Sequence, residues 1–408
     1  MYNRKVKMDN KKFKNINAKN LIHCTGCGNC ALSCPRNCIQ MLANEEGFLY
    51  PYINQNLCIE CGKCLNVCQI DENILVNKPI ESFCVFNNNS KIWQKSASGG
   101  VAVQLAKWCI SEKKGLVVGC EMTSEQNVQH TVIKNIKYIE KIIGSKYVQS
   151  DLKETFYAIE NNLKDKKFCI FFGTPCQVVA LNKYLFDKKI NNKNLITVDI
   201  VCHGVPSPLF WKKCINYYKE NFNLFNVKFR RKIGIPKKKT DFSLSFEKNK
   251  KKVVIPARCD AYYNLFMQCE SLRESCYKCS YAKIERVSDI TLGDCDSGSY
   301  YKKLGKGKAK SIVLLNTKKG KVIWEKVNTF FTYCSLNLER EMKINHQLEH
   351  PSLRTNRRNI IYKDVNSLKY EDLNKKYADP FNKKRKIAQI LGNVLPNCIY
   401  DLILKIVK

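Results

Sequence analysis

The sequence predicts a chain in two main parts: a small cysteine-rich α+β unit, then a larger α/β core that carries an additional antiparallel part and ends in a basic helical tail. Three observations predict this. Two four-cysteine runs of identical spacing begin at Cys24 and Cys58. Short apolar runs rich in β-branched or aromatic residues alternate with helical stretches between about 80 and 300, as expected for a sheet with helices packed on it. Residues 224 to 256 place Lys-rich turns between alternating segments, which reads as hairpin structure. The expected boundaries are 1–20, a solvated basic arm; 21–75, the cysteine-rich unit; 80–335, the core; and 336–408, the basic C-terminal region.

Within the cysteine-rich unit, Asn44-Glu45-Glu46-Gly47 is a turn signal flanked by apolar residues, so a small hairpin is expected between the two runs. Asn77-Lys78-Pro79 reads as a linker. In the core, Leu116–Val118, Phe168–Phe172, Ile196–Val201 and Ile290–Leu292 read as strands, and Val101–Ile110 and Gln177–Phe186 as helices. After about 335 the sequence turns polar and basic, and no core is assigned to it.

Length and composition limit the function. The 408 residues suffice for two or three domains with apolar cores, and 44% hydrophobic content is ordinary for a globular protein. No apolar run is long enough to span a bilayer. Met1–Asn20 lacks the apolar stretch of a secretory signal, so the expected location is the cytoplasm. The 23 cysteines are clustered, unlike a short disulfide scaffold, and in a reducing compartment they are available as thiolates. The formal charge is +34, yet residues 21 to 75 are net −3, leaving +37 spread diffusely over the rest. Most of it is Lys, whereas recognition of bases and phosphates favours Arg. No specific nucleic-acid partner is therefore expected; an acidic partner or an anionic surface fits the bulk charge.

Cys24, Cys27, Cys30 and Cys34, followed by Pro35, form a C-x-x-C-x-x-C-x-x-x-C-P run. Cys58, Cys61, Cys64 and Cys68 repeat it, with Gln69 in place of the proline. A 4Fe–4S cubane has four irons, each needing one outer thiolate. Three cysteines at two-residue spacing wrap one face, and the fourth is carried on a helix to the other cluster. The reading is thus two 4Fe–4S clusters, one on Cys24, Cys27, Cys30 and Cys68, the other on Cys58, Cys61, Cys64 and Cys34. Zinc on paired C-x-x-C motifs is the bland alternative, but each run supplies four cysteines in a row. Gly26, Gly28 and Gly62 suit loops that approach an inorganic core closely. Cys38 lies outside the run and reads as a buried free thiol.

Three features of the core carry further cysteines. Gly173-Thr174-Pro175-Cys176-Gln177 follows one strand and opens a helix, and Cys202-His203-Gly204-Val205-Pro206-Ser207 ends another. Sites in α/β sheets gather at carboxyl ends of strands, so the two segments are placed to face one another. Cys276-Tyr277-Lys278-Cys279 is an isolated C-x-x-C. From spacing alone these stay open between a third metal site, buried thiols, and a lone redox or zinc pair.

Residues from about 80 to 330 resemble the beta subunit of coenzyme F-420-reducing hydrogenases and dehydrogenases. The segments that carry the resemblance are Ser96–Gly100, Gly144–Tyr147, Gly173–Gln177, Cys202–Ser207, Phe229-Arg230, and Leu272–Cys279 running on to Asp289–Asp294. The resemblance implies an α/β flavin and iron–sulfur core fused to a dicluster ferredoxin-like domain. It implies that Cys176, Cys202, Cys276 and Cys279 ligate a third 4Fe–4S cluster, and that the core binds FAD. Ser98, Gly99 and Gly100 before an apolar helix would bare N–H groups to the flavin phosphates, and Lys146 would add charge. Serine is equally a good helix cap, and His203 reads as a proton donor or, on base rates, as a hydrogen-bonded structural histidine. No catalytic residue is assigned.

Two departures from the family pattern concern the substrate pocket: Cys295-Asp296-Ser297-Gly298 stands where an aromatic pair and glycine are usual, and Gly234-Ile235 replaces Gly-Trp. In the tail, Lys383-Lys384-Arg385-Lys386 precedes an amphipathic pattern from Ile387 to Val407, read as a peripheral contact with the inner face of the membrane or as a helix docking on the body. Taken together, the expected function is that of an iron–sulfur flavoprotein oxidoreductase passing electrons between 4Fe–4S clusters and an FAD-dependent site, with a redox partner protein or a small-molecule donor or acceptor. Relatives that accompany surface-polysaccharide enzymes extend this to polysaccharide biosynthesis. The alternatives are a non-catalytic electron-transfer subunit serving a partner enzyme, and a binding protein whose clusters are structural.

Overall fold

The computed structural model of the chain describes residues 14–379, apart from 71–73, 153, 234–238, 250 and 306. The amphipathic pattern from Ile387 to Val407 lies outside the described residues. Each cysteine run opens a single helical turn, Asn29–Leu32 in the first and Lys63–Asn66 in the second. The residue before each turn is a glycine in the left-handed region, Gly28 at φ 76° and Gly62 at φ 74°, a conformation that penalises any residue with a Cβ. The predicted hairpin joins them: β1 (Ile39–Ala43) and β2 (Leu49–Ile53) pair antiparallel around Asn44–Gly47.

The basic arm is not wholly solvated. Ile16 is buried among Cys24, Cys30, Cys64 and Cys68, and the Lys19 ammonium donates to the Ile70 carbonyl. One apolar residue in a Lys- and Asn-rich stretch gave no periodic signal, yet it plugs the base of the unit.

The core is a sheet of eight strands: β3 (Glu81–Asn87), β4 (Leu116–Met122), β5 (Val128–Ile133), β6 (Cys169–Gly173), β7 (Leu195–Ile200), and, after the antiparallel part, β11 (Ile290–Asp294), β12 (Ser311–Leu315) and β13 (Phe331–Ser335). Their order is β13-β3-β12-β11-β7-β6-β4-β5. The central four, β4, β6, β7 and β11, are parallel, and each flanking strand pairs antiparallel with its neighbour. Alternation along the central strands divides the core in two. Val117, Ile170, Ile196 and Val198 pack with the helices Val101–Lys113 and Lys318–Val327, whereas Leu116, Val118, Cys169 and Phe171 pack with Thr155–Lys164 and Pro175–Asp187.

The antiparallel part is a separate sheet, β8 (Phe225–Ile233), β9 (Lys239–Lys248) and β10 (Lys251–Pro256), in the order β10-β9-β8. Its buried face shares one apolar cluster with the helices Pro208–Phe222 and Ala261–Met267. The region after 335 does contribute to that core, contrary to expectation. Ile361, Tyr362, Val365, Tyr370, Leu373 and Tyr377, from the helices Arg357–Ser367 and Tyr370–Tyr377, are buried there. Tyrosines supply half of this face, and their hydroxyls are satisfied inside, as when Tyr370 donates to Asp260. Among the described residues no helix is long and apolar enough to cross a membrane.

Candidate iron–sulfur relay and redox site

The two cysteine runs cross over. Burial raises the Cys30 thiol well above its ordinary range, and the neighbouring sulfurs that raise it further are those of Cys27, Cys24 and Cys68. The same burial pushes Cys68 up to about 11, with Cys27 and Cys24 beside it. The first three cysteines of one run thus gather with the last cysteine of the other. On the far side, Cys58, Cys61, Cys64 and Cys34 line one small cavity. Cys38 is buried, as expected, but not remote: it lines this cavity too, with its sulfur 3.3 Å from that of Cys34.

The third group forms at the carboxyl ends of two adjacent parallel strands. Cys176 follows β6 within the first turn of its helix, behind a capping box of Thr174 and Gln177, and Cys202 follows β7 by two residues. Cys276 and Cys279 come from the short helical segment Glu274–Lys278 and the residue after it. All four line a cavity of about 220 Å³. Burial raises each thiol, Cys202 and Cys276 to about 12, and each has others of the four among its charged neighbours or theirs. Backbone N–H groups point at sulfur: Gly26 to Cys24, Ile70 to Cys68 and Gly204 to Cys202, at 3.4 to 3.5 Å. Four half-buried thiols around one cavity, with the Gly204 N–H aimed at one of them, fit a cubane, whose charge would offset the mutual repulsion of thiolates. Among the described residues no three His, Cys, Asp or Glu side chains close around a single metal ion.

The cavity's wall is shared. Thr25 and Gln69 of the cysteine-rich unit line it, and Cys27 is among the sulfurs that act on Cys176. Gln69, the residue in place of proline, explains its own presence. Its Nε2 donates to Thr25 Oγ1 at 2.9 Å and to the Cys176 carbonyl at 3.1 Å, and its Oε1 accepts from Tyr281 at 2.6 Å. Arg273 completes the junction. It donates to the Cys24 carbonyl at 2.6 Å, to the Leu49 carbonyl at 2.8 Å and to Gln149 at 3.1 Å. Sequence reading singled out Gln69 only as a departure and Arg273 only as part of a motif.

A polar cluster lies beyond Cys202. Arg230 on β8 pairs with Asp294 at the end of β11 at 2.9 Å, and its Nε has no partner although the side chain is buried. The Lys232 ammonium donates to the carbonyls of Ala97 and Ser98, and burial, then Arg230, lowers it to about 7. His203 is held below its ordinary range by burial, with Asp294 and Arg230 as charged neighbours. The residues assigned to flavin phosphates already have partners. Gly99 N–H donates to Ser311 Oγ at 2.8 Å, Ser98 Oγ donates to the Lys310 carbonyl at 2.6 Å, and Lys146 donates to the carbonyls of Lys141 and Ile143. Gly99 answers a close approach, since a Cβ there would sit 2.4 Å from the Val85 carbonyl oxygen. Gly100 caps the helix Val101–Lys113 in the left-handed region. The orphaned Arg230 Nε beside Lys232 is the feature that fits an anionic group such as a flavin phosphate or a substrate.

Thiol quartets that adjoin one another beneath a polar strand-end cluster define an iron–sulfur electron-transfer protein of the oxidoreductase type. The comparisons agree. Residues 166–332 match the family described as the C-terminal part of the coenzyme F420 hydrogenase/dehydrogenase beta subunit, and residues 23–71 match the 4Fe-4S dicluster domain. The resemblance drawn from the sequence is therefore matched over residues 166–332 of the core and the ferredoxin-like reading over residues 23–71. Among solved structures, the F420-reducing [NiFe] hydrogenase complex from Methanosarcina barkeri aligns at 17% identity and a TM-score of 0.44, covering 68% of this chain and 93% of that one. No curated protein matches.

Proposed function

We propose that the chain is an iron–sulfur flavoprotein oxidoreductase that moves electrons between its cysteine-rich unit and an FAD-dependent site beside Arg230. The observation that carries this is the junction at Gln69. The residue after Cys68 bonds directly to the backbone of Cys176, so the quartet that holds Cys68 and the core quartet are separated by one hydrogen bond. When bound, 4Fe–4S centres supply one-electron transfer, and a flavin supplies the pairing of two electrons for chemistry on a substrate. The chain's own residues set the order: Cys61 is exposed, Cys27 adjoins Cys176, and Cys202 lies next to the polar cluster. Ser98, Gly99, Gly100 and Lys146 would form the wall of the flavin site through the partners they already hold, and Arg230, with its unpartnered Nε, would supply the positive charge. The tie to polysaccharide assembly rests on the family resemblance, and a screen of acceptors with a reduced ferredoxin addresses it.

Isolation without oxygen should give a brown protein with about twelve irons and a flavin released on denaturation. Eight irons and no flavin would remove the core assignment. A second reading, that of an electron-transfer subunit serving a separate enzyme, is favoured by the exposure of Leu57, Ile59 and Cys61 at the outer run, where a partner would dock. It predicts reduction of the centres with no turnover until that partner is added.

A further inference from the structure

We propose that Cys84 and Cys295 form a redox-active thiol pair beside the core centre, closing to a disulfide on two-electron oxidation. Cys84 lies in β3, and Cys295 is the first residue after β11, one of the positions where the chain departs from its family's pattern. Their sulfurs are 3.3 Å apart, and the single Cys295 S–H can donate either to Cys84 or to the buried Glu341 carboxylate, 3.8 Å away. The buried Lys310 ammonium has both thiols among its charged neighbours, together with Cys334. The ammonium supports a thiolate at either sulfur, whereas the Glu341 charge opposes one at Cys295 and favours Cys84 as the sulfur that ionises. Cys84 and Cys295 also share an apolar cluster with Val201, which immediately precedes Cys202. Val201 thus joins the apolar surroundings of the pair to the segment that carries Cys202.

On oxidation two S–H bonds break and one S–S bond forms; two protons leave, and two electrons pass to an oxidant, here a disulfide reagent that becomes a dithiol. Closure asks the sulfurs to approach by about 1.3 Å, to the ~2.05 Å of a bond, and, because β12 lies between the two strands, it asks the segment after β11 to move toward β3. Reduction reverses this with two protons and two electrons, as a pair from a dithiol; a cluster held by Cys176, Cys202, Cys276 and Cys279 would supply them singly. Only that last route rests on the function proposed above.

The test equilibrates the anaerobic holoprotein in buffers of reduced and oxidised dithiothreitol, traps thiols by alkylation on denaturation, and maps the peptides. A linked Cys84–Cys295 peptide is expected to appear and vanish with the buffer ratio, and Cys295→Ser should abolish it with the iron content unchanged. No such peptide at the most oxidising ratio, or Cys84 joined to Cys334 with Cys295 alkylated, overturns the pair. Photoreduction of the oxidised protein should then open the disulfide at least tenfold faster than in Cys202→Ser. Closure by dithiothreitol without opening by light leaves the pair standing and removes the relay to it.

Discussion

The two cysteine runs have the same local geometry and opposite surroundings. In the first, no residue from Cys24 to Cys30 is exposed; in the second, Ile59, Glu60, Cys61 and Lys63 all are. The difference is visible at one pair of equivalent positions, Gly26 and Glu60, both left-handed at φ 72° and 52°. A Cβ on Gly26 would sit 2.8 Å from Gln149 Nε2 and 3.0 Å from an Arg273 nitrogen. Nothing so confines Glu60, whose side chain reaches solvent. The repeat thus has an inner copy shaped by the core and an outer copy left free, which is the asymmetry a relay with an entrance and an exit requires.

The largest expected effect comes from uncoupling the inner copy from the core. Arg358 is 1% exposed and pairs with Glu46 of the hairpin turn at 2.6 Å and with Glu274 at 2.7 Å. Arg358→Met leaves Glu46 without its buried cation and Glu274 with Arg354 alone, and such a loss costs about 3–5 kcal/mol. Chemical denaturation should show it, with hydrogen exchange rising at residues 24–30 and 44–49 but little at 58–64. An equal rise in both runs would mean that the outer copy is anchored too. Glu274 also gives a pH dependence. Hydrogen bonding from Arg354, then the charge of Arg358, holds its carboxyl below the ordinary range. Its contribution is complete above the unfolded value of about 4.3 and is lost as pH falls through the lower folded value. Acid titration of Glu274→Gln should be flatter over that window than the wild type's.

Gly26→Ala comes next. The left-handed backbone alone costs an L-residue roughly 1–2 kcal/mol, and the crowding by Gln149, Arg273 and the Leu49 carbonyl adds to it. A lower midpoint of anaerobic denaturation, with about four irons lost, is the expected result. An unchanged midpoint would show that the junction has slack that its hydrogen bonds do not reveal.

The cysteine runs were legible because their ligands are local: spacing alone encodes which thiols can reach one cluster. The central strands were legible for a related reason, since Phe168–Phe172 is apolar on both faces of a covered parallel sheet and Ile196–Val201 is β-branched on one face with Thr197 and Asp199 on the other. The edges were not. β3, β12 and β13 pair with partners more than 200 residues away or carry a polar face, as Thr332, Tyr333 and Ser335 do. The helices from 357 to 377 hid their apolar face behind tyrosines and a surplus of Lys and Asn. Cys176, Cys202, Cys276 and Cys279 converge only after the chain has folded, so their meeting depended on resemblance. Cys84, Arg358 and the bridging role of Gln69 gave no signal, because each acts through partners brought close by tertiary contacts.

Gln69→Ala separates the mechanical part of the junction from its conducting part. It removes three buried hydrogen bonds and leaves Tyr281 and the Cys176 carbonyl short of a partner, a loss on the order of 1–3 kcal/mol. Iron content should stay at about twelve, since no ligand changes. Stopped-flow reduction from the outer end should show the third centre lagging the first two. Simultaneous reduction of all three would mean that electrons cross elsewhere, the approach of Cys27 to Cys176 being the next route.

The smallest effect has the opposite sign. Glu60 adopts a left-handed backbone for which it has no steric preference, held there by the same loop geometry that gives its counterpart a glycine. Glu60→Gly relieves that strain and removes one negative charge from the outer face. The relief is worth up to ~1 kcal/mol, reduced by the extra freedom that glycine has when unfolded. A slightly higher denaturation midpoint is expected with unchanged iron content, together with slower reduction at low salt by a cationic one-electron donor and faster reduction by an anionic one. If stability falls instead, the Glu60 side chain supports its loop, and the outer copy is less free than its exposure implies. If neither donor's rate moves, electrons enter away from Cys61, and the distinction between the runs is structural without being an entrance.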